Sequence, residues 1–306
     1  MEQQIVSKKI FELFKQYRNQ KFIFVDPRGN FGDELIFRGA RKLAKLAGLD
    51  FESVSHQQFL NSSYSSEAVI YIQGGGGFNS FWTSGVVESF IKALEEHEGV
   101  IIQGPQSFAN DPHFIHNRIL KYIPQRQKKV FIFARALVSY NIIRDIFPKW
   151  INIDIDHDTA FNLTAGDLIS FKPKRRYDLY SIRTDREKVE YDFREYLTVW
   201  LDPVRYCDSF EQWVNLHNYA KKIITNRAHS AILGSILGIP TVMLPNNYHK
   251  NWALWEYSLK ERGVEWEDAV KISKVSSIIH STPPLKWLCN SYKFQTLIRS
   301  LAGVPT

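Results

Sequence analysis

An arginine and a histidine stand two positions apart in Thr225-Asn226-Arg227-Ala228-His229-Ser230. A guanidinium is a permanent cation whose fork matches a phosphate or a carboxylate, and an imidazole moves a proton near neutral pH. Such a pair can hold a small anion and protonate it. The apolar run at 222–224 precedes the pair, and residues 231–237 follow with helical character. Gly238-Ile239-Pro240 then turns the chain toward an apolar stretch at 241–244. The pattern predicts strand, polar turn, helix, turn, strand. In open α/β sheets, ligands bind at the carboxyl ends of strands, and helix N-termini favour anions. Arg227 and His229 are therefore candidates for anion binding and for proton transfer.

Further turns carry chemistry of the same kind. Gly29-Asn30-Phe31-Gly32-Asp33 lies between an expected strand and an expected helix. Asn30 offers hydrogen bonds there, and Asp33 serves equally well as a helix cap or as a base facing a hydroxyl. Gly74 to Gly77 follow a second apolar run but lack the Gly-Lys-Ser/Thr ending of a P-loop. Gly75 and Gly76 would let a ligand approach the backbone, with Asn79 as a polar platform and Trp82 as a stacking face for a sugar. A tight crossover explains the same glycines. Gly104-Pro105-Gln106-Ser107 offers Gln106 and Ser107 as uncharged hydrogen-bonding groups. Arg135, with Ser139 nearby, and Arg183 fall at the ends of two more expected strands, and are candidate anion anchors. A surface ion pair is the commoner fate of an arginine. Asp154-Ile155-Asp156-His157-Asp158 has the look of a metal cluster, since strand alternation puts its three aspartates on one face. Solvated acids are the simpler reading, and no metal site is expected.

These turns need elements to hold them. Val6, Ile10, Leu13, Phe14 and Tyr17 predict an opening amphipathic helix. Strands are expected at 21–25, 51–54, 68–73, 100–103 and 129–134, with helices at 33–47, 85–96 and 137–147. Residues 164–176, with Gly166, Pro173 and a basic run, read as a linker. Alternation resumes with strands at 178–182, 198–201, 222–225 and 241–244. Helices are expected from Asp185, at 210–216, at 230–237 and at 285–301. Alternating strands and helices imply parallel sheets. The expected fold class is α/β: two Rossmann-like domains, 1–165 and 175–306, with a cleft between them and the last helix returning to the first domain.

Composition narrows the partners. A net charge of +7 favours small anions, and the absence of an RNA-binding signature argues against nucleic acid. Two cysteines, Cys207 and Cys289, cannot build a disulfide scaffold, so a reducing compartment is expected. No stretch reaches the ~20 apolar residues of a membrane span. A cytoplasmic protein is expected, with any membrane contact peripheral, at the inner face.

In order along the chain, Gly29 to Asp33, Gly74 to Gly77, Gly104 to Ser107, Arg135 with Ser139, Asp158, and Arg227 through Pro240 resemble the polysaccharide pyruvyl transferases. The resemblance runs from about residue 22 to about residue 260. It implies a two-domain fold similar to GT-B glycosyltransferases. It also implies transfer of pyruvyl from phosphoenolpyruvate to a sugar of an exopolysaccharide or cell-surface precursor, commonly as a ketal. The family's Arg-x-His element falls on Arg227 and His229. Ala228 departs from the larger apolar residue expected between them, which widens the pocket and leaves the charged pair intact. Phosphoenolpyruvate carries two anionic groups, so Arg227, Arg135 and Arg183 are the candidate anchors. His229 is the candidate acid, and Asp33 or Asp158 the candidate base. The scheme calls for no cofactor. The acceptor is free or lipid-linked. A nucleotide-sugar GT-B glycosyltransferase shares the architecture, although no glutamate lies near the Arg227 turn in sequence. A non-catalytic glycan- or anion-binding protein on the same scaffold is a third reading.

Overall fold

The computed structural model describes residues 5–80, 85–123, 129–188 and 198–268. They form two compact units: the described residues up to Leu163 with Glu256–Ser258, and Thr164–Trp255 with the described residues from Leu259 on. Each is a parallel α/β assembly. The expected helix at 285–301 lies outside the described residues, as do Trp82 and Cys289.

The first unit holds strands β1 (Phe22–Asp26), β2 (Phe51–Ser55), β3 (Val69–Ile72), β4 (Gly75–Phe78), β5 (Val100–Phe108), β6 (Val130–Ala134) and β7 (Asn152–Ile155). Their order is β2-β1-β3-β5-β6-β7, with β4 also paired to β5. Alternation along each strand splits the core in two. Ile23, Val25, Ile70, Ile72, Ile101 and Ile132 pack on one face. Phe22, Phe24, Val69, Tyr71, Ile102 and Phe133 pack on the other. Helix Gly85–Glu96 covers the first face through Val86, Val87, Phe90 and Leu94. Helices Lys8–Gln16 and Phe31–Ala47 cover the second through Ile10, Leu13, Phe14, Leu43 and Ala44. Burial on both faces is why these strands read as nearly continuous apolar runs. Each such side chain stabilises the fold by about 1.5–3 kcal/mol.

Two expectations change here. The glycines at 74–77 form no loop. Strand β3 pairs with the first half of β5 and, after Gly74, the chain resumes as β4 against the second half. A side chain at Gly74 would meet the Pro105 carbonyl oxygen at 2.4 Å. Strand β5 does not stop at Gly104 either. It continues through Pro105, Gln106 and Ser107 to Phe108, so these residues lie within a strand. The register with β6 shifts between Gln103 and Gln106. Pro105 has no N–H for the ladder, so the strand passes it through an irregularity.

The second unit holds β8 (Tyr177–Ser181), β9 (Thr198–Leu201), β10 (Ala220–Thr225), β11 (Thr241–Met243) and β12 (Glu265–Trp266), ordered β12-β11-β10-β8-β9. All of its pairings are parallel. Helix Ala228–Ile236 connects β10 to β11, two residues earlier than its pattern suggests. Asp185 opens a turn where a helix was expected, and 189–197 lie outside the described residues. Within the expected linker, Ala165–Leu168 is a short helix. Strand β12 has no counterpart in the sequence pattern, and β7 ends at Ile155, before the alternation read over Asp154 to Asp158 runs out. Among the described residues, no helix is long and apolar enough to cross a membrane.

Candidate active site

A doubly wound sheet binds ligands where its strand order reverses, outside the carboxyl ends of the two strands concerned. The first unit reverses between β1 and β3, the second between β8 and β10. Asn30, Asp33, Gly75, Gly76 and Asn79 lie at the first place and Arg183, Arg227 and His229 at the second, whereas Gln106 and Ser107 lie in β5 and Arg135 follows β6.

After β1, Asn30 caps helix Phe31–Ala47, its side chain accepting from Gly32 N at 2.8 Å. Asp33 completes a capping box by accepting from Asn30 N at 2.7 Å through Oδ2. Its carboxylate lies between two glycines. A side chain at Gly29 would come within 2.5 Å of Asp33 Oδ2, and one at Gly75 within 3.4 Å of Oδ1. Gly75 also has φ +148, a conformation that disfavours a side chain. The glycines therefore let the β3–β4 bend pass beside Asp33. Gly76 accepts from Asn79 Nδ2 at 2.5 Å, and Asn79 itself is buried.

A buried polar layer extends from Gln73, after β3, to Asp158, after β7. Gln73 donates to Asp26 Oδ1 at 3.0 Å, and Asp26 also pairs with Arg41. Gln103 and Gln106 both donate to the Gln73 main-chain oxygen. Arg135, only 1 % exposed, donates to Asp158 Oδ2 at 2.7 Å and to Ser107 Oγ at 2.8 Å. Ser139 Oγ accepts from Phe108 N. Asp158 also caps the turn at Thr159–Asn162. The three aspartates of the metal-like stretch take separate partners: Asp154 pairs with Lys9, Asp156 accepts from Ile10 N, and Asp158 holds Arg135.

The second unit concentrates charge. Arg183 follows β8, and Arg227 follows β10 as N-cap of helix Ala228–Ile236. Asp185 joins them. Arg183 donates to it through Nε and Nη2, each at 2.9 Å, and Arg227 through Nη2 at 3.1 Å. Arg227 Nη2 also reaches Asp202 at 2.5 Å, and Arg183 Nη1 reaches Glu187 at 3.0 Å. Lys250 pairs with Glu187. Burial pushes the Asp185 carboxyl upward, but hydrogen bonds from Arg183 and the charges of Arg183 and Arg227 outweigh it and hold it down at about 2. Burial lowers the Arg183 pKa, yet Glu187 and Asp185 more than compensate and the net shift is upward. Asp185 is thus an anion and Arg183 a cation at neutral pH. Arg227 Nε and Asn226 Nδ2 are buried donors with no hydrogen-bond partner. His229 is half-buried, second in the helix that Arg227 caps.

Sequence spacing picks out Arg183, Arg227 and His229, but not Asp185, Glu187, Asp202, Asn226 or Lys250. Asp185 and Asp202 did carry a signal, since each follows the carboxyl end of a strand. No glutamate neighbours the Arg227 turn in sequence, yet the fold brings Glu187 onto Arg183, which shares Asp185 with Arg227.

The chain belongs to the polysaccharide pyruvyl transferase family, whose model matches residues 30–248. It is therefore a transferase. Its fold is similar to that of a functionally uncharacterized protein from Klebsiella pneumoniae subsp. pneumoniae. The two share 23% identity with a TM-score of 0.67, covering 87% of this chain and 100% of that one. No curated protein matches this sequence.

Proposed function

We propose that the protein transfers pyruvyl from phosphoenolpyruvate to hydroxyls of a saccharide in an exopolysaccharide or cell-surface precursor, forming a ketal. One observation carries the reading beyond the family. Two guanidiniums at the ends of β8 and β10 converge on one carboxylate, Asp185. Heads close enough to share a carboxylate can also share a small compound that bears a carboxylate and a phosphate. Arg183 and Arg227 are the donor anchors. The partnerless Arg227 Nε and Asn226 Nδ2 supply further donors.

The chemistry starts at the methylene carbon of the enol. His229 gives it a proton, and the neighbouring carbon becomes oxocarbenium-like. A saccharide hydroxyl adds to that carbon and loses its proton to a base, for which we assign Asp33. A second hydroxyl then displaces phosphate, which leaves with the second hydroxyl proton. Two carbon–oxygen bonds form, one breaks, and the former methylene is a methyl. The sequence is redox-neutral and needs no cofactor. Asn30, Gly75, Gly76, Gln106 and Ser107 are assigned to the acceptor. Asn79 and Arg135 act from behind, holding Gly76 and Ser107. We place the reaction in the cytoplasm, with a free or lipid-linked acceptor.

The test is phosphate release from phosphoenolpyruvate in the presence of galactosides, glucosides and mannosides. Release that depends on one acceptor class supports the reading. Transfer from a UDP or GDP sugar, with phosphoenolpyruvate inert, overturns it.

A further inference from the structure

Building on that donor reading, we propose that Asp185 is a built-in competitor: its carboxylate occupies the anion seat of Arg183 and Arg227 and must leave before any substrate or product anion can bind. The geometry is that of a bound ligand. Arg183 grips both Asp185 oxygens side-on through Nε and Nη2, and Arg227 adds a third bond to Oδ2. A carboxylate delivered from solution would take the same fork.

The other two carboxylates are of a different kind. Asp202 is fully buried beneath Arg227, and Glu187 is 2 % exposed beneath Arg183. Asp185 is 18 % exposed and sits in a turn without regular structure. When Asp185 withdraws, each arginine therefore keeps one buried partner and its orientation. The charge balance points the same way. With Asp185 in place, Arg183, Arg227 and Lys250 face three carboxylates. Without it they face two, and the site turns cationic.

A residue that occupies the seat most of the time weakens every anion by the same factor, the reciprocal of the fraction of time the seat is open. Ligands with a single anionic group then fall below useful affinity, while a compound with both a carboxylate and a phosphate has binding energy to spare. Inorganic phosphate, the product, is among the anions turned away. Asp185 thereby clears the site after each turnover.

The experiment is calorimetric titration of the full chain with phosphoenolpyruvate and, separately, with inorganic phosphate. Asp185→Asn keeps an oxygen that can accept from Glu187 N, as Asp185 Oδ1 does now at 3.1 Å, so the turn is retained. Asp185→Ala is the second variant. Affinity for both anions is expected to rise by the same factor, about tenfold or more. Unchanged or weaker binding of either anion overturns the proposal and makes Asp185 a positioning residue. Arg227→Lys separates the two ideas. It is expected to lose phosphoenolpyruvate binding at least about tenfold. If it binds like the wild type, the donor reading itself falls, whatever Asp185 does.

Discussion

His229 is the second residue of the helix that Arg227 caps, and is half-buried. Its proposed work is to deliver a proton, and a positioned acid is worth about 10²–10⁴-fold in rate. His229→Ala should lower kcat by that amount and leave the KM for phosphoenolpyruvate close to wild type. Steady-state kinetics on folded variant check this, and full activity would remove His229 from the mechanism. Arg227 and His229 were legible because they are neighbours in sequence. Their carboxylate surroundings were not. Asp202 lies 25 positions from Arg227 and Asp185 lies 42, distances that only strand pairing closes.

Helix Phe31–Ala47 approaches the turn Thr159–Asn162 through Gly39. A side chain at this position would meet the Thr159 carbonyl oxygen at 2.1 Å, and backbone cannot yield easily. Gly39→Ala should destabilise the first unit by about 1–3 kcal/mol, read from chemical denaturation. The opening helix supplies a pH-dependent test. Asp156 accepts from Ile10 N and His157 N, yet burial pushes its carboxyl up to about 6 against those bonds. The folded protein therefore takes up a proton between about pH 4 and pH 6 that the unfolded chain does not bind. The stability contributed by this group is complete below about pH 4 and is lost as pH rises through about 6. The change amounts to a few kcal/mol. Asp156→Asn should flatten the wild-type slope in that window, and an unchanged slope would contradict the assignment. At this scale the sequence misled where one residue type served two structures. Gly74 to Gly77 read as a turn, yet Gly75 to Gly77 lie in β4, because Gly74 packs on Pro105 of β5 and Gly75 beside Asp33 of helix Phe31–Ala47 rather than answering to local turn geometry.

Over the molecule as a whole, alternating apolar and amphipathic segments specified parallel α/β structure in both units, because strands buried on two faces leave an unmistakable apolar pattern. The short edge element β12 escaped, being too brief to carry one. Each unit places candidate residues at its own point of strand-order reversal, Asn30 and Asp33 in the first and Arg183 and Arg227 in the second, and the family match spans residues from both. The proposed ketal transfer is open to one direct measurement. Phosphoenolpyruvate labelled with ¹³C at the enol and methylene carbons is incubated in deuterated water with the acceptor that drives phosphate release, and the saccharide product is read by NMR. Ketal transfer by the proposed route yields a labelled quaternary carbon bonded to two sugar oxygens, next to a labelled methyl carrying one solvent deuteron. Label found only in free pyruvate, or on the sugar with its methylene intact, would contradict it.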